Sequence, residues 1–280
     1  MALEVIRAEY AGACYGVQRA LDMTRKAAAQ SGSVCTLGPL IHNPRVVQEL
    51  EDQGICVAQS VDSIDARDVV IRSHGVVPQV IEEIKQRGFN VVDATCPHVM
   101  RAQRAAAKLA SEGRHVLVVG EAGHPEVEGI SAYARVAGGE CTIVGGAQDV
   151  PQSLSSRIGV VVQTTQSETK LSEVLEALEG RGLDVEVKNT ICSATTQRQK
   201  SAIALAQQVD AMVVIGGRNS SNTTRLYEIC LEYCPLTFHV EAAEEIDPCW
   251  FDACKIIGVT AGASTPDNQI ENVVEFLRAL

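Results

Sequence analysis

Residues 90–103, NVVDATCPHVMRAQ, read as an apolar strand that stops at Cys96 and an Ala-bearing helix that starts beside it. The same joint is written at 8–21, AEYAGACYGVQRAL, around Cys14, and at 188–199, KNTICSATTQRQ, around Cys192. Counting forward, a strand-ending glycine lies 24 residues beyond each cysteine, at Gly38, Gly120 and Gly216. A short polar residue suited to an anion lies 28 beyond, at His42, His124 and Ser220. Such a period marks one α/β unit written three times.

Outward from these joints, strands (LEVIRA, VCTLG, ICVA, DVVIRSHG, HVLVVG, ECTIV, GVVVQTT, DVEVKN, AMVVIGG, LTFHV, KIIGVTAGAS) alternate with helical patterns. The helices are expected at about 16–30, 45–53, 78–86, 96–110, 127–134, 168–179, 223–233 and 268–279, one more following Cys192. GVVVQTT matches DVVIRSH, which sets Thr164 and Thr165 where Ser73 and His74 stand; Ser264 is assigned the position of His74 and Thr164. The last helix ends where a closing strand is expected, and LEVIRA can supply it. The expected organisation is a strand at 1–13 completing the third lobe, then lobes at 14–95, 96–191 and 192–280 around a common centre. Strand–helix alternation of this length implies parallel sheets with right-handed crossovers and ligands at the carboxyl ends of the strands.

The chain has 280 residues, 46% hydrophobic and 21% charged, with a net charge of -11, which argues against nucleic acid or an anionic membrane surface as partner. No apolar run approaches a membrane span, and MALEVIRAEY is no signal sequence, so a cytoplasmic location is expected. In a reducing compartment ten cysteines point to metal or catalysis before disulfides. Three thiols from separate lobes can hold zinc, hold an iron-sulfur cluster, or simply be buried. Zinc prefers close pairs, and three thiolates on a four-iron cluster leave one iron open. Cys35, Cys56 and Cys141 lie in apolar strands and read as core; Cys230, Cys234, Cys249 and Cys254 form a weak zinc pattern.

His42, His74, His124, Ser220, Asn222, Thr164, Thr165 and Ser264 all fall at strand ends or helix beginnings. There, unpaired N–H groups and the helix dipole bind phosphate without a basic patch, although any one of these residues alone reads more simply as a cap. His98, His115 and His239 do not share these positions and read as structural or exposed. Glu126, two residues beyond His124, either handles protons or merely favours the first turn of its helix.

GVQRA after the first cysteine, HNPRVV, SHGV, DATCP, AGHPEVEG, QTT, ICSATTQRQ, NSSN and GVTAGAS-x-PD together resemble the 4-hydroxy-3-methylbut-2-enyl diphosphate reductase family, in its order from Cys14 to Asp267. The resemblance implies a trefoil of three α/β lobes around a [4Fe-4S] cluster held by Cys14, Cys96 and Cys192. It implies reductive loss of an allylic hydroxyl to give isopentenyl and dimethylallyl diphosphates. By that pattern His42, His74, His124, Ser220, Ser221, Asn222 and Ser264 hold the diphosphate, while Glu126 and Thr164 stand near the hydroxyl, Glu126 as proton relay. The chain departs from the family at Ala13, where an aromatic residue is usual, and at His98, where an apolar one is expected. No G-x-G-x-x-G is present, so electrons are expected from an external ferredoxin- or flavodoxin-type donor, to a monomer or homodimer. A non-redox hydro-lyase, a paralogue acting on a related allylic diphosphate and an iron-sulfur sensor are the alternatives.

Overall fold

The computed structural model describes residues 3–280. It contains three four-stranded sheets in which every neighbouring pair is parallel. The first is ordered β3 (Cys56–Ala58), β2 (Val34–Leu37), β4 (Asp68–Ile71), β5 (Asn90–Asp93). The second is β7 (Cys141–Val144), β6 (His115–Val119), β8 (Arg157–Val162), β9 (Asp184–Lys188). The third is β11 (Thr237–Val240), β10 (Ala211–Ile215), β12 (Ile256–Ala261), β1 (Glu4–Arg7). The order is the same three times, with β1 in the place that β5 and β9 take in the others; Glu4 to Arg7 pair with Ile256 to Val259. After their first residues, the central strands β4, β6 and β10 are buried runs of Val, Ile, Leu and Met, as sheets covered on both faces require.

Helices α1 (Tyr15–Ser31), α4 (Pro97–Ser111) and α7 (Ser193–Ala206) follow the three cysteines directly. α2 (Pro44–Asp52), α5 (Pro125–Val136) and α8 (Ser221–Tyr233) follow the polar loops; α3 (Pro78–Gln86), α6 (Glu168–Leu178) and α9 (Asp267–Arg278) complete the set. α2 and α5 start one and two residues earlier than the spacing predicts because proline occupies the first helical position, where its missing N–H costs nothing. Short 3-10 turns at Val61–Ser63, Ala147–Asp149, Ala243–Glu245 and Pro248–Phe251 are additional. The chain forms two compact units. One comprises Met1–Val17, His42–Val46 and Ser193–Leu280 and carries the third sheet; the other comprises Gln18–Ile41 and Val47–Cys192 and carries the first two. No helix among the described residues is long and apolar enough to cross a membrane.

The repeat extends to single hydrogen bonds. The N–H groups of Gly38, Gly120 and Gly216 donate to the last carbonyls of the neighbouring edge strands, Ala58, Val144 and Val240, at 2.8, 3.0 and 3.0 Å. Gly216 has φ of 140°, and a Cβ there would lie 2.5 Å from the Thr265 hydroxyl, so glycine is required. Turns after the third strand of each sheet close by Gly75 N–H to Arg72 O, Gln166 N–H to Gln163 O and Thr265 N–H to Gly262 O. This corrects one equivalence: Ser264 matches His74 and Thr165, and Thr164 matches Ser73 and Ala263. The slip arises because β12 ends in small residues that give no landmark at the strand boundary.

Candidate active site

Each of the three cysteines is fixed in the same way. The backbone N–H of Cys14 donates to Ala263 O, that of Cys96 to Ser73 O and that of Cys192 to Thr164 O, at 3.0, 2.9 and 3.0 Å. Each thiol therefore sits at the carboxyl end of its sheet with a helix starting after it. The Cys14 sulfur also accepts from Val17 N–H at 3.5 Å, at a helix start that favours negative charge. None of the three is in a disulfide, and all are partly exposed. Tyr15, 70% exposed, follows Cys14, and Ala13 before it is exposed too.

The remaining cysteines divide. Of the two cysteines of β2 and β3 read from sequence as core, Cys35 is fully buried but Cys56 is exposed, because β3 is an edge strand; they face one another in register with Cα atoms 4.5 Å apart and are joined as a disulfide. Cys230 and Cys234 are buried and Cys249 is exposed. Among the described residues no three His, Cys, Asp or Glu side chains gather closely enough to chelate one metal ion, which leaves the zinc pattern of Cys230, Cys234, Cys249 and Cys254 without support. A four-iron cluster makes a different demand, since each thiolate binds its own iron and the sulfurs stay apart.

In the unit carrying the first two sheets, His74, His124, Glu126 and Thr164 form one linked group. The His74 and His124 rings meet edge to face with centroids 5.6 Å apart. His124 caps α5: its Nδ1 accepts from Glu126 N–H at 3.2 Å, which leaves Nε2 as the protonated, donating nitrogen of the neutral ring. Burial, together with the Arg72 charge, pulls His124 down to about 4, so the ring is neutral at physiological pH. Glu126 is 1% exposed and accepts from Thr164 N–H at 2.6 Å and from the Thr164 hydroxyl at 2.9 Å. Burial pushes its carboxyl up to about 7, while the two bonds from Thr164 act in the opposite direction. The position does lie in the first turn of α5, but dipole stabilisation alone would lower such a carboxyl. Thr165 receives a bond from the Gln163 amide at 3.1 Å.

In the other unit, the Ser264 hydroxyl donates to His42 O at 2.9 Å, and buried Asn43 spans Ser264 O and Gln269 Oε1, both at 2.9 Å. Asn43 Oδ1 also accepts from Arg45 and Val46 N–H, so the cap of α2 is Asn43, and His42 lies one residue before it. The sequence pattern missed Asn43 as the residue that fixes this loop; HNP before a helix carries the signal, since Asn is a preferred cap. Ser220 caps α8 by accepting from Thr223 N–H at 3.4 Å, and Ser221 opens the helix. Asn222 is 4% exposed with neither its amide nitrogen nor its oxygen hydrogen-bonded. Such a group costs about 1–3 kcal/mol and needs a partner of its own. His115 bonds Thr142 and His239 bonds Gly216 O, in keeping with structural roles.

Fold and site define an α/β protein with three helix-opening cysteines, a buried carboxyl raised to about 7, and loops of His, Ser and Asn side chains at helix starts. The sequence profile of the family described as LytB protein matches residues 5–278, and the chain belongs to that family. The 4-hydroxy-3-methylbut-2-enyl diphosphate reductase of Citrifermentans bemidjiense is 47% identical over 280 residues, 99% of this chain and 98% of that one. A solved (E)-4-hydroxy-3-methyl-but-2-enyl diphosphate reductase, described as the terminal enzyme of the non-mevalonate pathway, is 42% identical with a TM-score of 0.72, covering 100% of both chains. The Plasmodium falciparum E-1-hydroxy-2-methyl-but-2-enyl-4-diphosphate reductase has the same fold at 23% identity, with a TM-score of 0.91 over 98% of this chain and 88% of that one.

Proposed function

We propose that this chain reduces 4-hydroxy-3-methylbut-2-enyl diphosphate to isopentenyl and dimethylallyl diphosphates, with Cys14, Cys96 and Cys192 holding a [4Fe-4S] cluster. The overall change adds two electrons and two protons to the substrate and releases water. Family membership supports the substrate class, and the three equivalent cysteine joints, outside any disulfide, suit a cluster with one iron lacking a protein ligand. Bound there, the cluster supplies electrons, taken from an external ferredoxin- or flavodoxin-type donor, and a Lewis acid for the allylic oxygen.

The residues do the rest. The observation that carries the proposal is Glu126, a buried carboxyl held near 7 between the two Thr164 donors. At neutral pH it exists in both forms, so it can give a proton to the departing hydroxyl or the allylic carbon and be recharged. Thr164 fixes its direction. His124, neutral with a protonated Nε2, His74, His42 and the α8 start at Ser220, Ser221 and Asn222 would donate to the diphosphate oxygens, and so would Ser264 once its hydroxyl turns from His42 O. Side-chain and helix-start donors of this kind bind an anion without a basic patch in a chain of net charge -11. A cytoplasmic monomer or homodimer fits this chemistry. The test is anaerobic, cluster-loaded protein with a strong reductant: it should consume the diphosphate substrate, and should not when the reductant is omitted. Turnover without reductant would mark the hydro-lyase.

A further inference from the structure

A cavity of about 500 Å³ opens in the unit of the first two sheets, beside the two histidines but lined by neither. Its lining joins the apolar side chains of Val61, Val76, Val77 and Val80 to the Arg72 guanidinium. Arg72 is half-buried; its Nε donates to Gly75 O at 3.3 Å, and its Nη1 packs against Gly38, where a Cβ would lie 2.8 Å away. Among the described residues no carboxylate lies within 4 Å of it, although buried cations ordinarily have one. The acids around the cavity are already engaged: Asp62 and Glu83 both pair with Arg87, at 2.7 and 2.5 Å, and Glu128 accepts from Gly123 N–H at 3.1 Å.

We propose that this cavity is a second, regulatory binding site for an aliphatic monocarboxylate, whose head pairs with Arg72 and whose tail lies on the valine wall. A carboxylate matches the planar fork of one guanidinium, and the volume falls in the usual range for small-ligand sites. One cation among three carboxylates admits a single negative charge and repels a diphosphate, which separates this site from that of the substrate. Arg72 is two residues before His74, and Gly123 and Pro125, which line the cavity, flank His124. Occupancy therefore shifts both histidines and changes KM; that regulatory half rests on the proposed role of His74 and His124, whereas the binding does not.

The experiment is calorimetric titration of octanoate into cluster-loaded protein, with and without saturating inorganic diphosphate. One octanoate should bind per chain in both conditions, weakened roughly tenfold or more by Arg72→Met and by Val80→Trp, which fills the cavity, and unchanged by Arg101→Met on the surface. Octylamine should not bind. In turnover assays octanoate should alter KM for the protein as it stands and not for Arg72→Met. Undiminished binding to Arg72→Met and Val80→Trp, displacement by diphosphate, or no binding at millimolar octanoate would overturn the site. Binding with an unchanged KM would overturn the regulation, and binding to a protein without turnover would count against the proposed activity alone.

Discussion

Thr164→Val is the most informative single change in the active site. Valine keeps the shape and the backbone N–H bond to Glu126 Oε1 but removes the hydroxyl that donates to Oε2 at 2.9 Å. A hydrogen bond to a charged group is worth about 1.5–3 kcal/mol, and 1.36 kcal/mol corresponds to one pH unit. The lost bond favoured the ionised carboxylate, so the acid becomes weaker, from about 7 in the intact protein to roughly 8–9. If protonated Glu126 is the donor, kcat/KM falls above pH 7 in the unaltered protein and above roughly pH 8–9 in the variant, with a lower plateau because the carboxyl is less well aimed. His124, near 4, titrates far from this limb and does not confuse it. The assay is the anaerobic pH profile of kcat/KM with an external reductant. An unmoved basic limb, or one displaced downward, would refute Glu126 as the titrating acid. Stability gives a second readout. A carboxyl raised from 4.5 to about 7 favours the fold fully below pH 4.5 and loses that contribution as pH rises through 7, about 3 kcal/mol in all. Glu126→Gln should therefore be more stable than the parent at pH 8, and the difference should vanish toward pH 4.

Asn222→Leu removes a buried carboxamide that has no internal partner, so thermal stability should hold or rise by about 1 kcal/mol while KM for the diphosphate substrate rises about tenfold or more. Cys14→Ser, Cys96→Ser and Cys192→Ser should each lose iron and sulfide after anaerobic purification, whereas Cys249→Ser should retain both; an intact cluster in any one of the three would remove that ligand. Gly216→Ala combines an unfavourable φ with a clash against Thr265 and Thr223, and denaturant unfolding should show a loss of about 2–5 kcal/mol. Thiol titration of unfolded, unreduced protein should find two fewer groups than after reduction, owing to Cys35–Cys56.

Repetition made the fold legible. A joint repeated at Cys14, Cys96 and Cys192 with glycines at one offset leaves little freedom, and the sheets, their order and the place of β1 follow from it. The polar loops were legible for the same reason, although His42 departs from the pattern because the cap of α2 is Asn43. What sequence could not show was cross-strand register: Cys35 is the core residue it reads as, but only the pairing of β2 with β3 sets Cys56 opposite it. Arg72 was hidden similarly, the one arginine in DVVIRSHG, whose lack of a carboxylate partner emerges only with its neighbours in place. The raised Glu126 carboxyl likewise depends on burial, which no motif states.

The electron count tests the central claim most directly. Cluster-loaded protein mixed anaerobically with a measured amount of reduced viologen and excess 4-hydroxy-3-methylbut-2-enyl diphosphate should oxidise two viologens for each isopentenyl or dimethylallyl diphosphate formed. Product formed without viologen oxidation, or viologen oxidation without either product, would contradict reductive dehydroxylation by this chain.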